Sequence, residues 1–173
     1  MLVNNAAAPL PGPLADITDA DWRTVQSVTL DGTLFGLRAA LRVMRAYQRG
    51  SIINVSSGAA LGGEPGLGAY AAAKAAVVSL TRTAAIENAA FGIRVNCILP
   101  GAIATPPMLA WAQAVPGGVA GWSKQIPLRR LGQPDEMANV ALFLASDQSS
   151  YVTGTTIVAD GGVYARGSAP RFD

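Results

Sequence analysis

Short runs rich in valine and isoleucine alternate along the chain with longer stretches in which apolar residues recur every three or four positions. That alternation is the pattern of a parallel sheet covered by helices. The runs at 51–56, 94–99 and 155–159 predict strands, and Leu2 with Val3 predicts the stub of another. Between them the spacing predicts helices over about 19–47, 68–90 and 134–145. Thr18 and Asp19 can cap the first, while Pro134, Asp135 and Glu136 suit the first turn of the last, where negative charge meets the helix dipole. Leu34, Leu37, Leu41 and Met44 form a stripe read as core or subunit interface. Ala71, Ala72, Ala73, Ala75 and Ala76 either let the second helix approach its neighbours closely or simply favour helix. No repeat or linker divides the chain, so residues 1–173 read as one domain, with a loop-like polar tail at 165–173. A strand that starts at Leu2 lacks an upstream partner, so the pattern predicts that a preceding element is missing.

The uncharged run 95–123 is long enough to test as a membrane span. Pro100, Pro106, Pro107 and Pro116, with Gly101, Gly117, Gly118 and Gly121, cut it into pieces shorter than the roughly 20 residues a bilayer requires. It reads instead as a buried strand end followed by an apolar loop. Half of the 173 residues are hydrophobic and 14% are charged, which predicts extensive burial and excludes disorder for most of the chain.

Charge and chemistry narrow the classes further. Thirteen Lys and Arg against eleven Asp and Glu leave a net charge of +2, too small for a nucleic-acid groove, and Lys124, Arg129 and Arg130 read as a solvated loop. With no histidine there is no Ser-His-Asp triad and no His-ligated metal. Cys97 is the single cysteine, so an intrachain disulfide is impossible and a Cys-ligated metal site lacks its ligands. The first residues carry no basic segment followed by an apolar signal core, so secretion has no support and the chain reads as cytoplasmic.

One constellation carries chemistry without histidine, thiol or metal. Tyr70 and Lys74 are four residues apart, which places phenol and ammonium on one helical face. A positive charge there would lower the phenol from its ordinary pKa of about 10 and make it usable as acid and base. Ser57 stands thirteen positions earlier at a strand end, where ligands of parallel sheets bind, and could hydrogen-bond a carbonyl or alcohol oxygen. Taken alone, the Tyr and Lys also fit an ordinary surface pair.

The motifs around it resemble the short-chain dehydrogenase/reductase family. Asn4-Asn5-Ala6 resembles its Asn-Asn-Ala-Gly segment, and Ser57, Tyr70 and Lys74 match its catalytic Ser and Tyr-x-x-x-Lys. Pro100-Gly101 followed by Thr105 matches its Pro-Gly motif. Arg130-Leu131-Gly132-Gln133-Pro134, Tyr151-Val152-Thr153-Gly154 and Asp160-Gly161-Gly162 resemble its C-terminal region. The resemblance runs almost from end to end and implies a Rossmann-like, doubly wound α/β fold, here without its N-terminal βαβ cofactor-binding portion.

That resemblance implies an oxidoreductase that moves a hydride between NAD or NADP and a secondary alcohol or ketone. It makes Tyr70 the proton donor and acceptor, Lys74 the group that lowers the Tyr70 pKa and bonds the nicotinamide ribose, and Ser57 the group that orients the substrate oxygen. It assigns Asn5, Ala6, Pro100, Gly101, Ile103 and Thr105, with Tyr70 and Lys74, to the cofactor, although Asn5 and Pro100-Gly101 also fit plain turns. Residues 101–123 become a substrate lid, with Leu67, Met108 and Trp111 as substrate contacts and Trp122 closing the pocket; core packing is the competing reading for these side chains. Pairing into a homodimer or homotetramer would run through Leu34, Leu37, Leu41 and the alanine-rich helix.

Three departures stand out. Thr29 occupies the place of the family's Asn, whose backbone carbonyl helps hold a proton-relay water, and a carbonyl survives the substitution. Ala7 replaces a glycine after Asn-Asn-Ala. The Gly-rich turn that cradles a pyrophosphate has no counterpart in the 173 residues. Two functions remain: an enzyme of this family, or a folded module that no longer holds dinucleotide tightly and serves association alone.

Overall fold

The structure is a computed structural model, and it describes residues 1–165. The predicted tail therefore lies outside the described residues from position 166 on. Four parallel strands form one sheet in the order β1 (Leu2–Asn4), β2 (Gly50–Val55), β3 (Ile93–Pro100) and β4 (Thr156–Ala159). The register pairs Asn4 with Asn54, Asn54 with Cys97, and Cys97 with Thr156. Strand alternation sends successive side chains to opposite faces. Ile52, Val95, Cys97 and Leu99 meet α2 (Gly32–Tyr47) and α3 (Gly68–Asn88), whereas Ile53 and Ile98 pack against Leu144 of α6 (Pro134–Ala145). Helices on both faces of a parallel sheet make the doubly wound α/β arrangement.

The predicted helix over 19–47 is divided. It runs as α1 (Asp19–Gln26), then a wide turn with π spacing at Ser27–Asp31, then α2. The buried positions explain the interruption: Val25, Thr29, Thr33 and Leu37 recur every fourth residue. In a regular helix each such step overshoots by about 40°, and a turn that takes up an additional residue absorbs the drift. Thr29 is fully buried there, its hydroxyl accepting the Ala8 N–H at 3.2 Å and its carbonyl accepting the Thr33 hydroxyl at 2.8 Å.

The leucine stripe takes the core alternative at three of its four positions. Leu37, Leu41 and Met44 belong to the core between α2, β2 and α3. The solvent side of α2 instead carries Phe35, Ala39, Val43 and Tyr47, a fully separate stripe at spacing four.

The uncharged run ends β3 and then folds as two short helices, α4 (Pro106–Gln113) and α5 (Gly118–Gln125). Trp111 and Trp122 pack across them with ring centres 4.9 Å apart. Among the described residues no helix is long and apolar enough to cross a membrane. Arg94 of β3 fastens the opposite end of the sheet, donating to the Leu144 and Ser146 carbonyls at 2.8 and 3.1 Å and so satisfying the last turn of α6.

Candidate active site

The carboxyl ends of the parallel strands open into a crevice, as they do in doubly wound sheets. Ser57 follows β2, Pro100 closes β3 and Gly101 follows it. Tyr70 and Lys74 lie in the first two turns of α3, one above the other. A cavity of about 470 Å³ gathers Ser57, Tyr70, Lys74, Asn5, Pro100, Gly101, Ile103 and Thr105, residues drawn from widely separated parts of the chain. The sequence reading did not anticipate Pro134, Met137, Ala138 and Ala141 of α6, which also line it. Only the tertiary docking of α6 brings them there, so no local signal marked them.

The other expected site residues fall elsewhere. Ala6 is exposed, and Leu67 sits half-buried just ahead of α3. Met108 and Trp111 belong to α4 of the lid pair. Thr29 is buried in the turn between α1 and α2. None of these five lines the cavity.

Two anchors hold the helix that carries Tyr70 and Lys74. The Ser56 hydroxyl, buried beside Ser57, donates to the Lys74 carbonyl at 2.7 Å, and the Lys74 ammonium donates to the Val55 carbonyl at 2.6 Å. Both Ser56 and Ser57 line the cavity, and Ser56 anchors α3 as well. Deeper in the sheet, the Asn4 amide donates to Asn54 Oδ1 at 2.8 Å, Asn54 Nδ2 donates to the Thr81 hydroxyl at 2.9 Å, and that hydroxyl donates to the Val77 carbonyl at 2.8 Å. This buried polar chain joins β1, β2 and α3.

Close approach also shapes the crevice floor. A Cβ on Gly101 would lie 2.7 Å from the Asp160 Cα, so only glycine lets the ends of β3 and β4 meet there.

The ionisation of the pair departs from expectation. Burial raises the Tyr70 phenol, and the Ser57 hydrogen bond offsets part of that rise. Burial lowers the Lys74 ammonium to about 8. Its Nζ stands 5.5 Å from the centre of the Tyr70 ring, above the face. Desolvation is the largest influence on both groups.

These features have known counterparts. A family model described as enoyl-(acyl carrier protein) reductase matches residues 1–164. The 3-oxoacyl-(acyl-carrier-protein) reductase of Chlamydia pneumoniae is 42% identical over 163 residues, covering 94% of this chain and 64% of that protein. The (S)-acetoin-forming diacetyl reductase of Staphylococcus aureus is 40% identical over 175 residues, covering 96% and 68%. A gluconate 5-dehydrogenase from Burkholderia cenocepacia, solved in complex with NADP and tartrate, superposes with a TM-score of 0.91 at 34% identity, covering 96% of this chain and 65% of its own. The chain belongs to the short-chain dehydrogenase/reductase family. It spans about two thirds of the length of these relatives.

Proposed function

We propose that the chain carries the proton-transfer machinery of an NAD(P)-dependent oxidoreductase acting on a secondary alcohol or ketone. The observation that carries this reading is the convergence of Ser57, Tyr70 and Lys74 on one cavity at the carboxyl ends of the parallel strands. The relatives named above are reductases and dehydrogenases, and one was solved with NADP, which supports the same reading.

The donor set fits the nicotinamide and ribose end of a dinucleotide. Lys74 would supply the ammonium for the ribose hydroxyls, and Asn5 and Thr105 add polar groups to walls formed by Val3, Val55, Ile98 and Met137. When bound, the nicotinamide supplies or accepts the hydride. The chain's own residues handle the oxygen and the proton. The Ser57 hydroxyl holds the substrate oxygen and stabilises its developing charge. Tyr70 gives its phenolic proton to that oxygen in reduction and takes it back in oxidation, and its protonated resting state suits the reductive direction. Lys74 fixes the ribose while Ser56 and Val55 keep its helix in register. The Thr29 backbone carbonyl, which already accepts the Thr33 hydroxyl, would be the acceptor for a relay water. Leu67, Met108 and Trp111 contribute apolar contacts to the substrate when the lid pair closes.

Assembly belongs to the same reading. The outer stripe of α2, Phe35, Ala39, Val43 and Tyr47, and exposed Ile86 of α3 supply the faces for a homodimer or homotetramer.

NADPH and NADH fluorescence titrations test the cofactor, and micromolar affinity is expected; absence of binding would leave the association module as the better account. Tyr70→Phe should lower turnover by about 10²-fold or more while leaving cofactor affinity near that of the parent. Retention of most activity would remove Tyr70 from the acid and base role.

A further inference from the structure

The turn at 160–162 is rigid for reasons the proposed chemistry does not use. The Asp160 carboxylate accepts the Gly162 N–H at 2.8 Å and the Tyr164 N–H at 2.7 Å, and Gly161 and Gly162 have φ of 66° and 90°. This fixed turn aims the Tyr164 side chain at the loop between Ser57 and Tyr70. The Tyr164 ring meets two glycines four residues apart with its edges: a Cβ on Gly58 would come within 2.5 Å of Cε2, and one on Gly62 within 3.5 Å of Cε1. The phenol then donates to Glu64 Oε1 at 2.7 Å, a bond that spans 100 residues of sequence. Burial and the Glu64 charge hold the Tyr164 phenol up to about 12, so it stays a donor at ordinary pH.

We propose that Tyr164 and Glu64 form a latch that clamps the 58–67 loop onto the turn at 160–162 and thereby positions Ser57. The loop needs such a tie because its middle, 61–63, is exposed. Its backbone bonds are largely local: the Ala59 N–H donates to Ser57 Oγ at 3.2 Å, the Ala60 N–H to the Ser57 carbonyl at 3.0 Å, and the Leu61 N–H to the Gly58 carbonyl at 2.9 Å. Two of those three amides bond Ser57 itself, so a loop released from Tyr164 frees the Ser57 side chain with it. Leu61 and Tyr164 also share a cavity of about 790 Å³ with Ile126, Pro127 and Leu128 behind the lid, and Ile103 lines both this cavity and the catalytic one. The latch thus forms a wall beside the reacting centre. Tyr164 and Glu64 are positioning residues, and their role in substrate binding rests on the function proposed for Ser57.

Hydrogen exchange of the chain tests the latch without requiring turnover. Tyr164→Phe keeps the ring on its glycines and removes the phenolic bond. It should speed exchange at Ala59, Ala60 and Leu61 by about threefold to tenfold, the factor that one hydrogen bond implies, while amides of β3 and α6 stay unchanged. Glu64→Ala should match it, the double variant should go no further, and Glu64→Gln, whose amide oxygen still accepts, should keep parental rates. Parental rates in Tyr164→Phe, or equal acceleration throughout the chain, would overturn the latch. A chain that shows the loop effect but binds no NADPH would keep the latch and lose the function proposed above; binding and turnover with no loop effect would do the reverse.

Discussion

Burial sets the ionisation of Lys74, with consequences for stability. Its ammonium drops from an ordinary 10.5 to about 8 because the side chain is 2% exposed. The unfolded chain therefore binds that proton more tightly than the folded one. Stability should be lowest below about pH 8 and should rise as pH climbs toward about 9, by on the order of 1 kcal/mol. Cys97, pushed by burial from an ordinary 9.0 to about 11, acts in the opposite sense above about pH 9, and Tyr70, also raised by burial, does so above its ordinary 10.0, which confines the rise to that window. Urea unfolding at several pH values checks this, and Lys74→Met should flatten the slope; an unchanged slope would place the titration elsewhere. The spacing of four between Tyr70 and Lys74 was visible in the sequence, but their ionisation was not. Neither residue's burial is encoded locally: it arises where α3 meets β2 and β3.

At the scale of elements, α2 is tied to the sheet through a glycine. A Cβ on Gly36 would lie 2.2 Å from Asn4 Oδ1, and Asn4 is itself held by Asn54. Helix propensity alone would favour alanine at this position by about 1 kcal/mol. Gly36→Ala should nonetheless destabilise the chain by about 1 kcal/mol or more, because the Asn4 amide cannot move without breaking the Asn54 and Thr81 chain. Thermal denaturation reads the loss, and Gly36→Ala should become neutral or stabilising in an Asn4→Ala background. The same coupling explains why the helix over 19–47 was legible as helix while its interruption was not. The π turn at Ser27–Asp31 answers to the buried row Val25, Thr29, Thr33 and Leu37, a requirement set by the partner elements.

For the whole molecule, α2 and α3 cover one face of the sheet and leave an apolar outer surface. Phe35 is 54% exposed, Val43 59%, Tyr47 73% and Ile86 81%, a concentration that a water-facing helix pair does not need. In an oligomeric parent, replacing Phe35 and Val43 together with lysine should give monomer while leaving the far-ultraviolet circular dichroism unchanged. Light scattering coupled to size exclusion distinguishes the species, and a parental chain that is already monomeric would remove this surface as the interface.

Hydrophobic periodicity alone determined that strands near 51–56, 94–99 and 155–159 alternate with helices, because periods of two and of three to four are local properties of the chain. The ordered motifs from Asn4 to Gly162 added the family, and the absence of histidine made Tyr70 the candidate acid and base. Tertiary structure decided what depends on distance in space. It sent Leu37 and Leu41 to the core rather than to an interface, and it brought Met137, Ala138 and Ala141 to the cavity that holds Ser57, Tyr70 and Lys74. It also set Tyr164 against Glu64 across 100 residues. Burial and contact across the sheet follow from how elements pack, and no local spacing carries that information.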